Sequence, residues 1–198
     1  KLMGFLKGKT AIITGGGRSV LKDGSCGSIG YGIATAYAKE GANLVITGRN
    51  KQKLADAKEE LERLYNIEVL PVQADVSAGA DNETVVRNVI DETIAKFGRI
   101  DVLINNAQAS ASGVAANEWG PDGINANIIC PLAWTAQLEN FQQAYPEAFE
   151  ANVKMPPAGH YGDVEKEIGR VCVQLASPDF KYMNGETLTL EGGMGLRP

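Results

Sequence analysis

Three observations predict a single-domain α/β fold built on a doubly wound parallel sheet. Short apolar runs alternate with helical patterns along the first half of the chain. Each run is apolar at nearly every position, as strands covered on both faces must be. The first run, Ala11-Ile12-Ile13, ends in Thr14-Gly15 and a glycine- and serine-rich loop that leads into a helical pattern. Glycines let a backbone turn tightly and approach a phosphate, and a helix start offers free N–H groups and the positive end of a dipole. Strand, loop and helix in this order make a dinucleotide phosphate site, and a plain glycine-rich turn is the bland alternative. The 198 residues, 44% hydrophobic and 22% charged, suffice for one domain with a substantial core.

The elements follow in order. The helix after the glycine loop carries Ile29, Ile33 and Ala36 on one face. Residues 43–47 read as the second strand. Asn50 can cap a helix that runs to about Tyr65, with Leu54, Ala57, Leu61 and Leu64 inward. Residues 68–74 form the third strand. Residues 83–97 form a helix with Val86, Ile90, Thr93 and Phe97 inward, and Gly98 ends it at a left-handed cap. Residues 101–105 are the fourth strand, and 125–130 read as another buried strand with no full helix before it. Residues 138–149 make a sparsely anchored polar helix, and Met155-Pro156-Pro157 breaks the chain. Val164, Ile168, Val171 and Leu175 mark one face of another helix. Residues 186–191 alternate as a last strand, closed by Gly192-Gly193.

The formal net charge of −5 argues against a nucleic-acid partner. Cys26, Cys130 and Cys172 are far apart, odd in number and without metal-ligand spacing, which suggests reduced thiols in a cytoplasmic protein and no metal. There is no leader pattern and no apolar run of bilayer length, so no membrane partner is expected. Met3, after Lys1-Leu2, is expected as the native start.

With these residues in place, the chain resembles the short-chain dehydrogenases/reductases along nearly its whole length. Thr14-Gly15 opens the loop, Gly30 sits where the family's third motif glycine does, and Ser28 stands at the usual middle glycine. Asp75-Val76, Asn105-Asn106-Ala107, the run from Asn127 through Pro131 to Thr135, and Gly185-Glu186-Thr187-Leu188 with Gly192-Gly193 each resemble a family signature. The resemblance implies a Rossmann fold, a nicotinamide cofactor, hydride transfer between an alcohol and a ketone, and a homotetramer. Among family members the chain looks most like bacterial hydroxysteroid dehydrogenases of the bile-acid type, so the expected small-molecule substrate is steroid-like. There are departures: the first loop is long over residues 20–27, Gln108 and Leu132 replace usual glycines, and the exit over residues 28–34 resembles enoyl-thioester reductases.

Gly15, Ser19, Ile29 and Gly30, with Ser28, are expected at the pyrophosphate and adjacent ribose. A loop hydroxyl bonding its own backbone is the other reading of Ser19. Asp75 is expected to accept from adenine beside Val76, or else to cap the next helix. Asn105 and Ala107 are expected to line the cofactor ribose, although Asn105 can equally bond a neighbouring strand. Pro131 and Thr135 are expected beside the nicotinamide. At the end of the second strand, Thr47-Gly48-Arg49-Asn50 offers no carboxylate. Arg49, assisted by Arg18, can hold a 2′-phosphate, so NADP is favoured over NAD; a solvated surface charge is the plain reading of Arg49. Trp134, Phe149 and Tyr161 are expected to shape a substrate pocket under a lid over residues 136–160. His160, the one histidine, reads as a loop residue.

The family's catalytic serine and its tyrosine with a lysine four residues on are not in the chain. Their place lies between the fourth strand and the strand at 125–130. Both strands read as buried, and the sheet order calls for a strand between them. Two helices, one strand and their loops, about 45 residues or more, are expected to be missing near Gly113, with an interrupted backbone at residues 112–114. An enoyl-thioester reductase and a non-catalytic cofactor-binding protein remain the alternative readings.

Overall fold

A computed structural model describes residues 4–75, 81–106 and 112–195. Strands β1 (Thr10–Thr14), β2 (Asn43–Gly48), β3 (Val69–Gln73) and β4 (Val102–Ile104) form a parallel sheet in the order β3-β2-β1-β4. Helices α1 (Ile29–Lys39), α2 (Lys51–Tyr65) and α3 (Asn82–Phe97) make the crossovers. Side chains alternate across the pleat. Ala11, Ile13, Leu44 and Ile46 pack with α1 and α2, whereas Ile12, Val45 and Val72 pack with Val89 of α3. The sheet is thus covered on both faces, as a doubly wound fold requires.

The local signals held where they are short-range. The Asn50 side chain accepts from Lys53 N–H at 3.0 Å and caps α2. Gly98 ends α3 with φ of 70°. Helix α1 departs from the one-faced expectation, because every residue from Gly30 to Ala38 is buried. It is sandwiched between the sheet and a π-helical turn (Val164–Gly169) that runs into α7 (Arg170–Leu175). Gly32 permits this approach, since a Cβ there would lie 2.4 Å from Val164 O. The π turn also shifts the apolar register by one residue. Val164 and Ile168 are buried as expected, but Cys172 and Val173 then take the inward places in α7.

Helix α3 corrects another expectation. Val89 and Thr93 are buried, while Val86 and Ile90 stand 40% and 42% exposed, with Ile94 at 46%. The helix carries two adjacent apolar stripes, and the sheet covers one of them. Leu64 of α2 is likewise exposed.

Among the described residues the sheet ends at β4. Helix α4 (Ser112–Trp119) leads through a 3-10 turn (Gly120–Asp122) to β5 (Ile128–Pro131), which among the described residues pairs in parallel with β6 (Thr187–Leu190) alone, in a separate two-stranded sheet. Neither strand at the break is fully buried. Leu103, opposite Ile12 on the α3 face, is 52% exposed, and Cys130 is exposed. The expected backbone interruption at residues 112–114 is not present, because α4 is one continuous helix there. The expected helix over 138–149 is two, α5 (Ala136–Ala144) and α6 (Pro146–Asn152), because Pro146 has no N–H to carry α5 onward.

Candidate functional site

The glycine loop is built onto the carboxyl ends of β1 and β2. Gly15 turns with φ of 72°, and the N–H groups of Gly15 and Gly16 both donate to Thr47 O, at 2.8 and 3.1 Å. A Cβ on Gly30 would lie 2.2 Å from Gly15 O and 2.8 Å from Asn106 Nδ2, so only glycine fits where α1 begins. Ser28 occupies the N-cap of α1 in extended conformation, yet its side chain makes no cap bond. Its Oγ is buried without a hydrogen-bond partner among the described residues, as is Thr47 Oγ1 at the end of β2. Orphaned buried hydroxyls cost free energy unless a ligand satisfies them. With the first-turn N–H groups of α1, the cradle suits a phosphate-bearing dinucleotide.

The hairpin-like excursion of the long loop returns through a Val20–Cys26 bridge, and Gly27 N–H donates to Ser19 O. Ser19 therefore joins the loop through its backbone. Arg49 is exposed just before the α2 cap and makes no ion pair among the described residues. Arg18 is not free in the same way: its Nε donates to Glu60 Oε2 at 2.6 Å. Asp75 follows the end of β3 at the surface, while Val76 and Ala107 lie outside the described residues.

After β4 the residue with a visible structural role is Asn106. Its N–H donates to Thr14 Oγ1 at 2.9 Å and its side-chain amide to Thr14 O at 3.1 Å, tying β4 to β1 beside Gly30. Asn105 is exposed. Alternation along the strand carried this signal, because Asn106 falls on the face of Val102 and Ile104, which pack on the main core. Glu60 and Thr47 were missed, since their partners come from distant elements.

A cleft of about 620 Å³ opens beside the start of α1, lined by Ile29, Pro131, Thr135, Phe141, Lys154 and Tyr161 among others. It unites three of the expected cofactor residues with one expected substrate residue. Thr135 also caps α5, accepting from Leu138 N–H at 3.3 Å. Trp134 and Phe149 are not in the lining but pack against rings that are, Trp134 edge-on and Phe149 tilted. Trp134 packs against Tyr161 at 6.0 Å and Phe149 at 6.1 Å between ring centroids, and Phe149 against Phe141 at 6.1 Å. The Tyr161 hydroxyl donates to Lys154 O at 2.8 Å.

No tyrosine of the core is poised for proton transfer. Burial, and then the bond to Glu60, push the Tyr31 phenol far above its ordinary range, and burial does the same to Tyr37, which donates to Cys172 O. His160 is exposed and faces Glu167 at 3.0 Å, outside the cleft lining; that hydrogen bond raises its pKa. Burial pushes the Cys172 thiol up to about 12, leaving it inert. Among the described residues no group of three metal-ligating side chains occurs, and no helix is long and apolar enough to cross a membrane.

Comparison with known proteins bears on this site. The family model for short chain dehydrogenase matches residues 9–115, and that for enoyl-(acyl carrier protein) reductase matches residues 107–195. A 12alpha-hydroxysteroid dehydrogenase from a Clostridium strain is 50% identical over 266 positions, covering 99% of this chain and 100% of the relative. A peroxisomal 2,4-dienoyl-CoA reductase from Danio rerio is 36% identical over 266 positions, covering 97% of this chain and 83% of the relative. Both alignments are 68 positions longer than the 198 residues of this chain. In three dimensions the chain resembles L-sorbose reductase from Gluconobacter frateurii, with a TM-score of 0.81 over 100% of both chains and 20% identity, a likeness of fold.

Proposed function

The chain belongs to the short-chain dehydrogenase/reductase family, and from that premise we propose an NADP-dependent oxidoreductase that interconverts a secondary alcohol and a ketone on a hydroxysteroid-like substrate. The observation that carries the substrate class is the 50% identity with the clostridial 12alpha-hydroxysteroid dehydrogenase across both full lengths. The aromatic and aliphatic wall of the cleft, from Ile29 to Phe141 and Tyr161, supports a bulky apolar molecule. The cofactor supplies the hydride when bound. The chain's own residues hold it: Gly15, Ser28 and Gly30 at the pyrophosphate, Asp75 and Val76 at adenine, Asn105 and Ala107 at the ribose, and Pro131 and Thr135 by the nicotinamide. Arg49, exposed at the end of β2 where no carboxylate stands, supports NADP over NAD. The three free cysteines and the family resemblance support a cytoplasmic homotetramer.

The proton transfer and the orientation of the substrate oxygen belong, by resemblance, to a serine, a tyrosine and a lysine that this sequence lacks. The proposal therefore includes an internal segment, placed between Asn106 and α4, in the natural protein. Four observations support it: the alignments' excess over 198 residues, the sheet that stops at β4, Leu103 exposed at that edge, and the second apolar stripe of α3 exposed on the same face. One added strand beside β4 and a helix over α3 would cover all of this surface.

The enoyl-thioester reductase reading keeps support from the second family model and the dienoyl-CoA reductase. Incubating the natural protein with NADPH and either a ketosteroid or an enoyl thioester separates the readings. Oxidation of NADPH with the ketosteroid is expected. Turnover of the enoyl thioester alone supports the second reading, and turnover of neither supports a non-catalytic cofactor-binding protein.

A further inference from the structure

Three elements of the phosphate site converge on one carboxylate that takes no part in the family signatures above. Glu60, on α2, accepts from Arg18 Nε at 2.6 Å through Oε2 and from the Tyr31 hydroxyl at 2.7 Å through Oε1. Arg18 comes from the glycine loop and Tyr31 from the first turn of α1. The loop itself lies on the first turn of α2: Arg18 N–H donates to Lys53 O at 2.8 Å, and a Cβ on Gly17 would touch Lys53 Cβ at 3.2 Å. That turn begins directly after Arg49 and its cap Asn50. Arg18 and Arg49 therefore flank the same helix start, along with Lys51 and Lys53.

We propose that Glu60 is a positioning residue for the cofactor's 2′-phosphate, acting through Arg18. A guanidinium has five N–H donors, and Glu60 engages the one on Nε. The two terminal Nη groups have no hydrogen-bond or ion-pair partner among the described residues, and they form the fork that suits a phosphate. Tyr31 fixes the other carboxylate oxygen, so Glu60 cannot swing away with Arg18. The arginine is held in one rotamer before the ligand arrives, and less conformational freedom is lost on binding. A lysine at position 18 cannot do both, because a single ammonium bound to Glu60 leaves no separate fork for the phosphate.

This inference rests on the NADP reading, and the test separates the two. Calorimetric titration of the 198-residue chain with adenosine 2′,5′-bisphosphate and with adenosine 5′-monophosphate probes only the adenine half of the site. The wild-type chain is expected to bind the bisphosphate more tightly. Glu60→Gln should weaken the bisphosphate about fivefold to tenfold, in keeping with loss of side-chain preorganisation, and leave the monophosphate unchanged. Arg18→Ala should weaken it at least as much, and the double variant no further than Arg18→Ala. Arg18→Lys, which preserves charge, should behave as Arg18→Ala and serves where Glu60→Gln does not fold. Equal losses for both probes, tighter bisphosphate binding in Glu60→Gln, additive losses in the double variant, or full affinity in Arg18→Lys would each overturn the role of Glu60. A wild-type chain that binds both probes equally would overturn the NADP reading itself.

Discussion

The two sheets of this molecule have similar strands in different surroundings. In β1 and β2, flanked on both sides by paired neighbours, Ile13, Leu44, Val45 and Ile46 are 0% exposed. In β5 and β6, which among the described residues pair only with each other, no residue is fully buried, although Ile128, Ile129 and Leu188 are as apolar as anything in β1. Strand β4 stands between the two cases, closed by β1 on one edge and, among the described residues, open on the other. An apolar strand sequence states what the strand needs, and burial follows only when the neighbours are supplied. The same rule explains why α1, enclosed from Gly30 to Ala38, is buried over that span, while α3 hides one of its two apolar stripes.

The contrast can be pressed hardest where packing is tightest. Gly32→Ala would force a Cβ to within 2.4 Å of Val164 O. It should cost about 3 kcal/mol in urea unfolding, at the upper end of overpacking effects; an unchanged midpoint would show that the π turn yields freely. At the cofactor end of β2, Arg49→Ala should weaken NADPH by about 1.5–3 kcal/mol, the range for hydrogen bonds to a charged group. NADH binding should hold, and a titration showing equal loss for both would remove the 2′-phosphate assignment. On the open side, Trp134→Ala and Phe149→Ala should change relative affinity for steroid ligands about tenfold through loss of the bracing ring contacts. Competition binding that instead shows cofactor affinity falling, with the ligand profile intact, would contradict that division of labour.

Smaller effects are expected at the exposed edge. Leu103→Ser should fall within about 0.5 kcal/mol in the 198-residue chain, as substitutions at exposed positions do. In a protein with a strand beside β4 it should cost about 2 kcal/mol or more, as loss of a buried leucine does. The smallest effect concerns His160. Its hydrogen bond to Glu167 raises its pKa in the folded state, so its contribution is present below the unfolded pKa of about 6.5 and is lost as pH rises through the folded value. Glu167 has the opposite shift, led by its bond from Asp163 N–H and then by His160, so the pair weakens again as acid protonates it. His160→Gln should flatten the stability profile as pH rises from about 6.5, and an unchanged profile would show the pair to be inert.

What could be read from sequence was governed by range. Asn50 and Gly98 cap their helices through neighbours within four residues, and both were legible. The split of the helix over 138–149 was written in Pro146, whose missing N–H ends α5. The π turn was not legible, because its extra residue shifts Cys172 and Val173 inward without any local mark. On α3 two apolar stripes compete, and only the sheet decides which is covered. Within the site, Gly30 lies against Gly15 with Ser28 at the N-cap of α1, and Asn106, not Asn105, is the visible tie to β1. Glu60 stands 42 residues from Arg18 and 29 from Tyr31, so nothing local announced their meeting.

If the open edge of β4 marks a strand and its crossover helices carried by the natural protein, together with the serine, tyrosine and lysine that the family resemblance implies, that protein is longer than 198 residues. Intact mass spectrometry of the protein purified from its natural source tests it most directly. The expected mass is several kilodaltons above 21.0 kDa, with the additional residues falling between Asn106 and α4 on peptide mapping. A mass of 21.0 kDa, with the chain continuous through that junction, would contradict it and favour the non-catalytic reading.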